Sequence, residues 1–350
     1  MDAQQTLAAV KAYYGQVLRT KNDLQTSACC TADSMPAYLR PIEAQLHDEV
    51  RDRFYGCGSP IPLALHGATV LDLGCGSGRD TYLLSKLVGP HGRVIGVDMT
   101  EQQLDVARRH RDHHAQAFGY AKSNVEFVQA YIEDLAGAGI ADASVDVVIS
   151  NCVINLSPDK LRVFSEIFRV LRPGGELYFS DVFSGRRVPQ PLTHDPLLVG
   201  ECLGGAMYIE DFRRMLRSVG CLDYRVVKSQ PIQINNPDLE ARAGMIDFHS
   251  KTIRAFKLDL EDLCEDYGQV AYYLGTLPES PHSFTLDDHH VFKTGQPMLV
   301  CGNTAAMVAD SRYRAHFRVV GDRSVHYGPF DCAPPALGTA AGSGTGGACC

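Results

Sequence analysis

The sequence predicts an α/β fold, a doubly wound sheet with a smaller α+β extension on its C-terminal side. Three observations carry this. From residue 68 onward, short apolar runs alternate with helical stretches, the pattern of strands paired in parallel with helices on both faces. The first run, ATVLDLG, ends in a glycine-rich turn, GCGSG, that opens a helix. The chain has 350 residues, 45% hydrophobic and 21% charged, an ordinary globular balance at a length suited to about two domains.

Residues 1–20 read as a helix, with Leu7, Val10, Tyr14 and Leu18 at steps of three and four. Residues 21–40 have no steady period and read as a loop. A second helix is expected after Pro41, running to about Tyr55 and broken by the glycines and prolines of GCGSPIP. ATVLDLG is the first strand of the sheet, RDTYLLSKLVG the helix after it, and RVIGVD the second strand. Thr100 and Gln103 form a T-x-x-Q capping box for a helix ending near Gly119. NVEFVQA and VDVVISN are two more strands. Ser157-Pro158 opens a helix with Leu161, Phe164, Ile167, Phe168 and Leu171 on one face; RPGG stops it, and ELYFSDV is a further strand. The expected divisions are an N-terminal thiol-bearing segment (1–59), the α/β domain (60–232), an α+β region (233–335) and a flexible Gly/Ala-rich tail (336–350).

Charge narrows the partners. Lys plus Arg number 33 against 41 Asp plus Glu, a net charge of −8. Without a basic block, neither nucleic acid nor an anionic membrane is an expected partner. No uncharged apolar run approaches the ~20 residues that span a bilayer. The start, MDAQQTLAAVKAYYG, lacks the apolar core of a signal peptide, so a cytoplasmic location is expected. Twelve cysteines are many for that compartment. A reducing cytosol disfavours a disulfide framework, which leaves core packing or thiol chemistry.

The glycine turn suits an anionic or nucleoside ligand, because glycines let backbone approach closely and the helix start offers N–H groups. Asp98 ends the next strand, twenty residues beyond Gly78, where a carboxylate accepts from ribose hydroxyls. The spacing is G-x-G-x-G (Gly74, Gly76, Gly78) with Arg79 at the sixth position, which departs from the dinucleotide fingerprint. Asp72, two residues before Gly74, can pair with an ammonium that a pyrophosphate lacks. VLDLGCGSG, the strand-end Asp98 and LRPGGELYFSD together resemble the class I S-adenosylmethionine-dependent methyltransferases, whose sheet is Rossmann-like. The resemblance implies that Asp72, Gly74, Cys75, Gly76, Ser77, Gly78 and Arg79 face the methionine part of S-adenosylmethionine. It implies that Asp98 holds the ribose, that Met99 packs on the adenine, and that Ile132 and Glu133 line its edge. Tyr55 joins the same set. Asn151 closes the fourth strand at its carboxyl end, the side where open α/β sheets bind ligands.

Cys152 directly follows VDVVISN and is expected at the carboxyl edge of the sheet; Cys57 stands in YGCGSP and Cys202 in GECLGG, both in glycine-flanked turns. No pair has C-x-x-C spacing. LQTSACC, RFYGCGSPIP, SNCVINLSPDK, GGELYFSDV and GECLGGAMY together resemble the arsenite S-adenosylmethionine methyltransferases over residues ~15–255. That family's four cysteines fall on Cys29, Cys57, Cys152 and Cys202. The resemblance implies that Cys152 and Cys202 are the core arsenic(III) ligands, with Cys57 the third. Cys29 would pair with Cys57 in a disulfide, yielding two electrons to return pentavalent arsenic to the trivalent state, with thioredoxin or glutathione restoring the thiols. Cys30 adjoins Cys29 and departs from the family pattern, so the redox thiol is one of the two. Arsenite or its thiol conjugates would be the substrate, mono- and dimethylated arsenicals the products, and a monomer the working form. The other readings are a methyltransferase for an organic thiol, quinone or sterol, and a non-catalytic arsenic sensor.

The remaining candidates read as packing or surface. Cys75 is a small residue within the turn, and Cys221, Cys264, Cys301 and Cys332 have no supporting context. Cys349 and Cys350 end the tail. His110, His113 and His114 have metal-ligand spacing on a helix but sit in RRHRDHH, the pattern of a solvated face. Asp287, Asp288, His289 and His290 form a second short polar cluster. The chain has no tryptophan, so adenine stacking must use other side chains.

Overall fold

A computed structural model describes residues 11, 35–54, 56, 58–193, 195, 198–199, 202–234 and 237–332. Apart from Lys11, the helix expected over 1–20 lies outside the described residues, as do Cys29, Cys30, Tyr55, Cys57, Cys349 and Cys350.

The main sheet is built on β1 (Thr69–Leu73), β2 (Arg93–Asp98), β3 (Val125–Gln129), β4 (Val145–Asn151), β5 (Leu171–Ser184), the short β6 (Met207–Tyr208), β7 (Tyr224–Pro231) and β8 (Phe248–Phe256). The spatial order is β3-β2-β1-β4-β5-β8-β7, with β6 against β5. β1 through β5 run parallel, as their alternation with helices predicts, and β1 takes β2 on one side and β4 on the other. The strand order therefore reverses at β1/β4, the switch point where such sheets open a crevice beyond their carboxyl ends. Buried aliphatic and aromatic side chains cover both faces. Leu71, Val148, Phe164, Phe179 and Phe212 belong to one cluster, and Val70, Tyr82, Leu83, Val94 and Leu104 to the other.

Several sequence expectations are corrected. The boundary at 232 falls inside the sheet, because β8 inserts between β5 and β7 and pairs antiparallel with both, from Glu176↔Phe256 to Ser184↔Phe248 on the β5 side. The helix expected after Pro41 is two short ones, Arg40–Glu43 and Asp48–Asp52. The helix expected to reach Gly119 is divided at His110 into Glu101–Arg109 and Arg111–Phe118. Thr100 is the N-cap residue of the first, yet its side chain makes no cap bond; the Asp98 carboxylate instead accepts from the Thr100 N–H at 2.8 Å. The helix after Pro158 is Lys160–Val170, capped by Asp159 accepting from the Arg162 N–H. Leu161 is off its buried face, 45% exposed, and RPGG lies within β5. Of the histidines of RRHRDHH, His113 is solvated as expected, but His110 and His114 are not. His114 is buried and stacks on Tyr82 at 3.6 Å between ring centroids, and His110 stacks on His47 and bonds Glu49.

Past β8 the chain forms an α+β unit: β9 (Glu265–Asp266), β10 (Gln269–Tyr273), β11 (Ser283–Thr285), β12 (Val291–Lys293), β13 (Pro297–Val300), the helix Gly302–Ala309, β14 (Phe317–Val320) and β15 (Gly328–Pro329). These pair as β13-β10-β14, β11-β12 and β15-β9 around Tyr273, Phe284, Phe292, Tyr313 and Phe317. Fully buried Glu176 on β5 joins this unit to the sheet. It meets Arg254 of β8 at 2.7 Å and Arg312 at 2.5 Å, and accepts from the Tyr313 hydroxyl at 3.2 Å. The cluster at 287–290 does the same work: buried Asp287 holds His290 and pairs with Arg225 of β7. Among the described residues, no helix is long and apolar enough to cross a membrane.

Candidate active site

One cleft of about 1000 Å³ opens at the β1/β4 switch point. The glycine turn forms its floor. Gly74 and Cys75 donate their N–H groups to the Val97 carbonyl at 2.7 and 3.0 Å, which stitches the turn to the end of β2. Gly74 has φ +70°, and a Cβ there would collide with Val153, so the turn approaches the β4 exit too closely for any other residue.

Acids dominate the cleft. Asp98 accepts from the Gly76 N–H at 2.9 Å and the Thr100 N–H at 2.8 Å. Loss of hydration raises its pKa, and those N–H donors oppose the rise. Asp72 is 2% exposed and accepts from the Thr81 hydroxyl at 2.6 Å. Burial, and then the charge of Asp80, push its pKa up to about 8. A cavity with under-neutralised buried acids suits a cationic ligand. The donor set thus fits S-adenosylmethionine, which carries an ammonium and a sulfonium beside ribose hydroxyls.

Asp72, Gly74, Cys75, Gly76, Ser77, Arg79, Asp98, Met99, Ile132, Glu133 and Asn151 all line this cleft. Gly78 does not; it is the N-cap of Arg79–Val88, and a Cβ there would press on Phe127 and Tyr82, so packing accounts for it. Arg79 and Asn151 are tied to the walls of the cleft. Arg79 is held by Asp80 at 2.9 Å and Glu43 at 3.1 Å, with its guanidinium over the Phe54 ring. Asn151 Nδ2 donates to Asp80 at 2.8 Å and to the Gly58 carbonyl at 3.0 Å. Both therefore brace the walls. Sequence reasoning missed Thr100, Gln103, Tyr131 and Ser157, which line the cleft from the segments that follow β2, β3 and β4. Of these only Ser157 carried a signal, standing in the INLSPDK segment; its hydroxyl donates to Glu133 at 2.5 Å.

The thiols lie against the same wall. Cys152, the first residue after β4, lines the cleft and is disulfide-bonded. Cys202 is fully buried, and its Sγ donates to the Cys152 carbonyl at 3.6 Å. Both backbones are left-handed, at φ +58° and +63°, a conformation uncommon outside glycine and enriched where strain serves a site. Val182, Leu198, Leu203 and Phe248 pack around them. Lys160, also missed, has its pKa lowered by burial, opposed by the charges of Asp181 and Glu133, and its ammonium donates to the Ser157 carbonyl at 2.9 Å. Buried Asp181 is pushed up to about 7, chiefly by burial, against N–H donors from Val182 and Asn155. Cys57, Cys29 and Tyr55 fall outside the described residues.

Comparison with known proteins agrees with this geometry in both parts of the chain. The family described as a methyltransferase domain matches residues 65–220, and the arsenite methyltransferase C-terminal domain matches residues 266–333. The arsenite methyltransferase of Aquipseudomonas alcaligenes is 53% identical over 92% of this chain and 93% of its own length. That of Homo sapiens is 42% identical over 90% and 84%. The crystal structure of an arsenic(III) S-adenosylmethionine methyltransferase from Chlamydomonas reinhardtii superposes with a TM-score of 0.83 at 53% identity, covering 85% of this chain and 100% of that one. With identity of this order running almost end to end through relatives that share both parts, the chain belongs to the arsenite methyltransferase family.

Proposed function

We propose that this chain methylates trivalent arsenic held by Cys152, Cys202 and Cys57, giving mono- and dimethylated arsenicals, in the cytoplasm. The reading rests above all on the 3.6 Å contact between Cys202 Sγ and the Cys152 carbonyl at the wall of a cleft whose acids suit S-adenosylmethionine. Asp98 would hold the ribose, Asp72 the ammonium, and Met99 and Ile132 the adenine. When bound, the donor would supply an electrophilic methyl, to which the arsenic lone pair would bond as the C–S bond breaks and its electron pair stays on the departing sulfur.

The residues of the chain do the rest. Each thiol replaces one hydroxide of arsenous acid, and its proton leaves with that hydroxide as water. Once the first thiol has bound, the others act intramolecularly, at an effective concentration that reaches ~mM or more. Arsenic carries no proton, so no general base is required. Holding donor and acceptor in line contributes on the order of 7–11 kcal/mol to the rate, and the apolar wall of Val182, Leu198 and Leu203 keeps water from the arsenic.

The disulfide at Cys152 supports a requirement for reduction before arsenic binds. It also supports a cycle in which pentavalent arsenic gains two electrons as two thiolates become a disulfide. Cys57 with Cys29 or Cys30 would serve there, with thioredoxin or glutathione restoring the thiols.

Serine variants assayed on two substrates test the division of labour. Cys152→Ser and Cys202→Ser abolish methylation of both arsenite and monomethylarsenite. Cys29→Ser and Cys57→Ser abolish only the first reaction, because monomethylarsenite offers only two exchangeable positions. Equal losses on both substrates in all four variants would reject the assignment.

A further inference from the structure

A second group of thiols lies outside the cleft. The Sγ atoms of Cys264, Cys301 and Cys332 are all within 4.8 Å of one another, and none of the three is bridged by a disulfide. None of them lines the donor cleft.

Three separate elements build this convergence. β9 and β15 pair antiparallel through Gly328↔Asp266 and Pro329↔Glu265. The ladder is extended by the Phe330 N–H donating to the Cys264 carbonyl at 2.8 Å, which carries Cys332 back alongside Cys264. Cys301 is the N-cap of Gly302–Ala309, its Sγ accepting from the Thr304 N–H at 3.4 Å. An N-terminal helix end favours a thiolate over a thiol. The Arg225 guanidinium, held by Asp223 and Asp287, lies 3.8 Å from the same sulfur. Cys301 and Cys264 are buried and Cys332 is half-buried, so the group has one open side.

We propose that Cys264, Cys301 and Cys332 form a second site for trivalent arsenic, which retains the element without methylating it. Among the described residues no fourth Cys, His, Asp or Glu completes the group. Three sulfurs match a pyramidal three-coordinate centre, whereas structural zinc takes four ligands. Arg225 is already paired with Asp223 and Asp287, so the selection falls to the three sulfurs. Each of three As–O bonds is exchanged for an As–S bond, each thiol proton leaves with hydroxide as water, and no electrons move. None of the three sulfurs lines the donor cleft, so arsenic bound there is not presented to the methyl and stays trivalent. The choice of arsenic over other thiophiles rests on the function proposed above.

The test uses the full, reduced chain without donor and follows iodoacetamide alkylation of Cys332 by peptide mass spectrometry, with and without sodium arsenite. Chelation by three thiols exceeds single-thiol binding by about 10²-fold or more. Micromolar arsenite should therefore slow alkylation at least about tenfold in the native chain and in Cys202→Ser, and not in Cys301→Ser. Serine remains a good helix cap, so Cys301→Ser should fold, and Cys264→Ser should lose protection in the same way. The proposal fails if Cys332 is alkylated equally fast with and without arsenite. It also fails if the purified chain holds stoichiometric zinc that arsenite does not displace. Methylation is measured on the same samples. Protection without methylation overturns only the proposed function, and methylation without protection overturns only the second site.

Discussion

Cys202 reaches across fifty residues of sequence to donate its Sγ–H to the backbone carbonyl of Cys152 at 3.6 Å, and both residues hold a left-handed backbone. Neither conformation is a turn requirement that glycine could not meet. In both places the chain keeps a cysteine where glycine would relieve the strain, which costs roughly 1–2 kcal/mol per residue.

That strain separates folding from activity. Cys202→Gly should unfold within about 1 kcal/mol of the native chain, because relief of the backbone offsets the lost side-chain packing. Its arsenite methylation should fall below detection. Urea unfolding alongside product analysis checks this. Unfolding several kcal/mol easier would mean that the Cys202 side chain is chiefly structural.

Asp98→Ala should weaken binding of S-adenosylhomocysteine by about 10²-fold. It removes the proposed ribose partner and leaves the N–H groups of Gly76 and Thr100 without their acceptor, a penalty of about 1–3 kcal/mol for each group that water cannot reach. Isothermal titration measures it. Binding within a factor of two of the native chain would remove Asp98 from the donor site.

Asp72 gives a pH signature. Its folded pKa lies at about 8, above its ordinary value of 3.8. It therefore contributes stability that is complete below the unfolded pKa and is lost as pH rises through the folded one. Asp72→Asn abolishes that loss. Melting temperatures of the ligand-free chains should diverge between about pH 4 and 8, with the variant higher, and run parallel above that. Asp181 titrates in the same window but is common to both chains and cancels. Parallel curves throughout would show that Asp72 is ionised in the folded chain at neutral pH.

Much of this was legible in local sequence. The parallel strands announce themselves because each is an apolar run closed by a turn, and Asp98 because its distance from the glycine turn follows from one strand–helix–strand unit. The cofactor wall follows from the same unit. What the pattern hides is pairing across distance. β8 is separated from β5 by more than sixty residues and enters antiparallel, so no alternation marks it, and the expected domain edge at 232 cut through it. Cys264, Cys301 and Cys332 each lack local context, and only the β9/β15 ladder and a helix cap unite them. The histidines of RRHRDHH look solvated by composition, yet His114 is buried against Tyr82. Nothing in a cysteine's neighbours foretells a left-handed backbone.

The two parts of the chain are tied through Glu176. Glu176→Gln leaves Arg254 and Arg312 buried beside a neutral group, and breaking a buried ion pair in this way costs about 3–5 kcal/mol. Guanidinium unfolding should show that loss, and limited proteolysis should release the segment after β8 first. A change below 1 kcal/mol would show that apolar packing alone joins the parts.

The central claim is tested most directly by incubating the reduced chain with methyl-labelled S-adenosylmethionine, arsenite and a thiol reductant, and separating the arsenicals formed. The label should appear in mono- and dimethylated arsenic with the native chain, and not with Cys152→Ser or Cys202→Ser. Arsenite bound with no label transferred, or equal transfer by the native chain and both variants, would contradict a thiol-held arsenic acceptor.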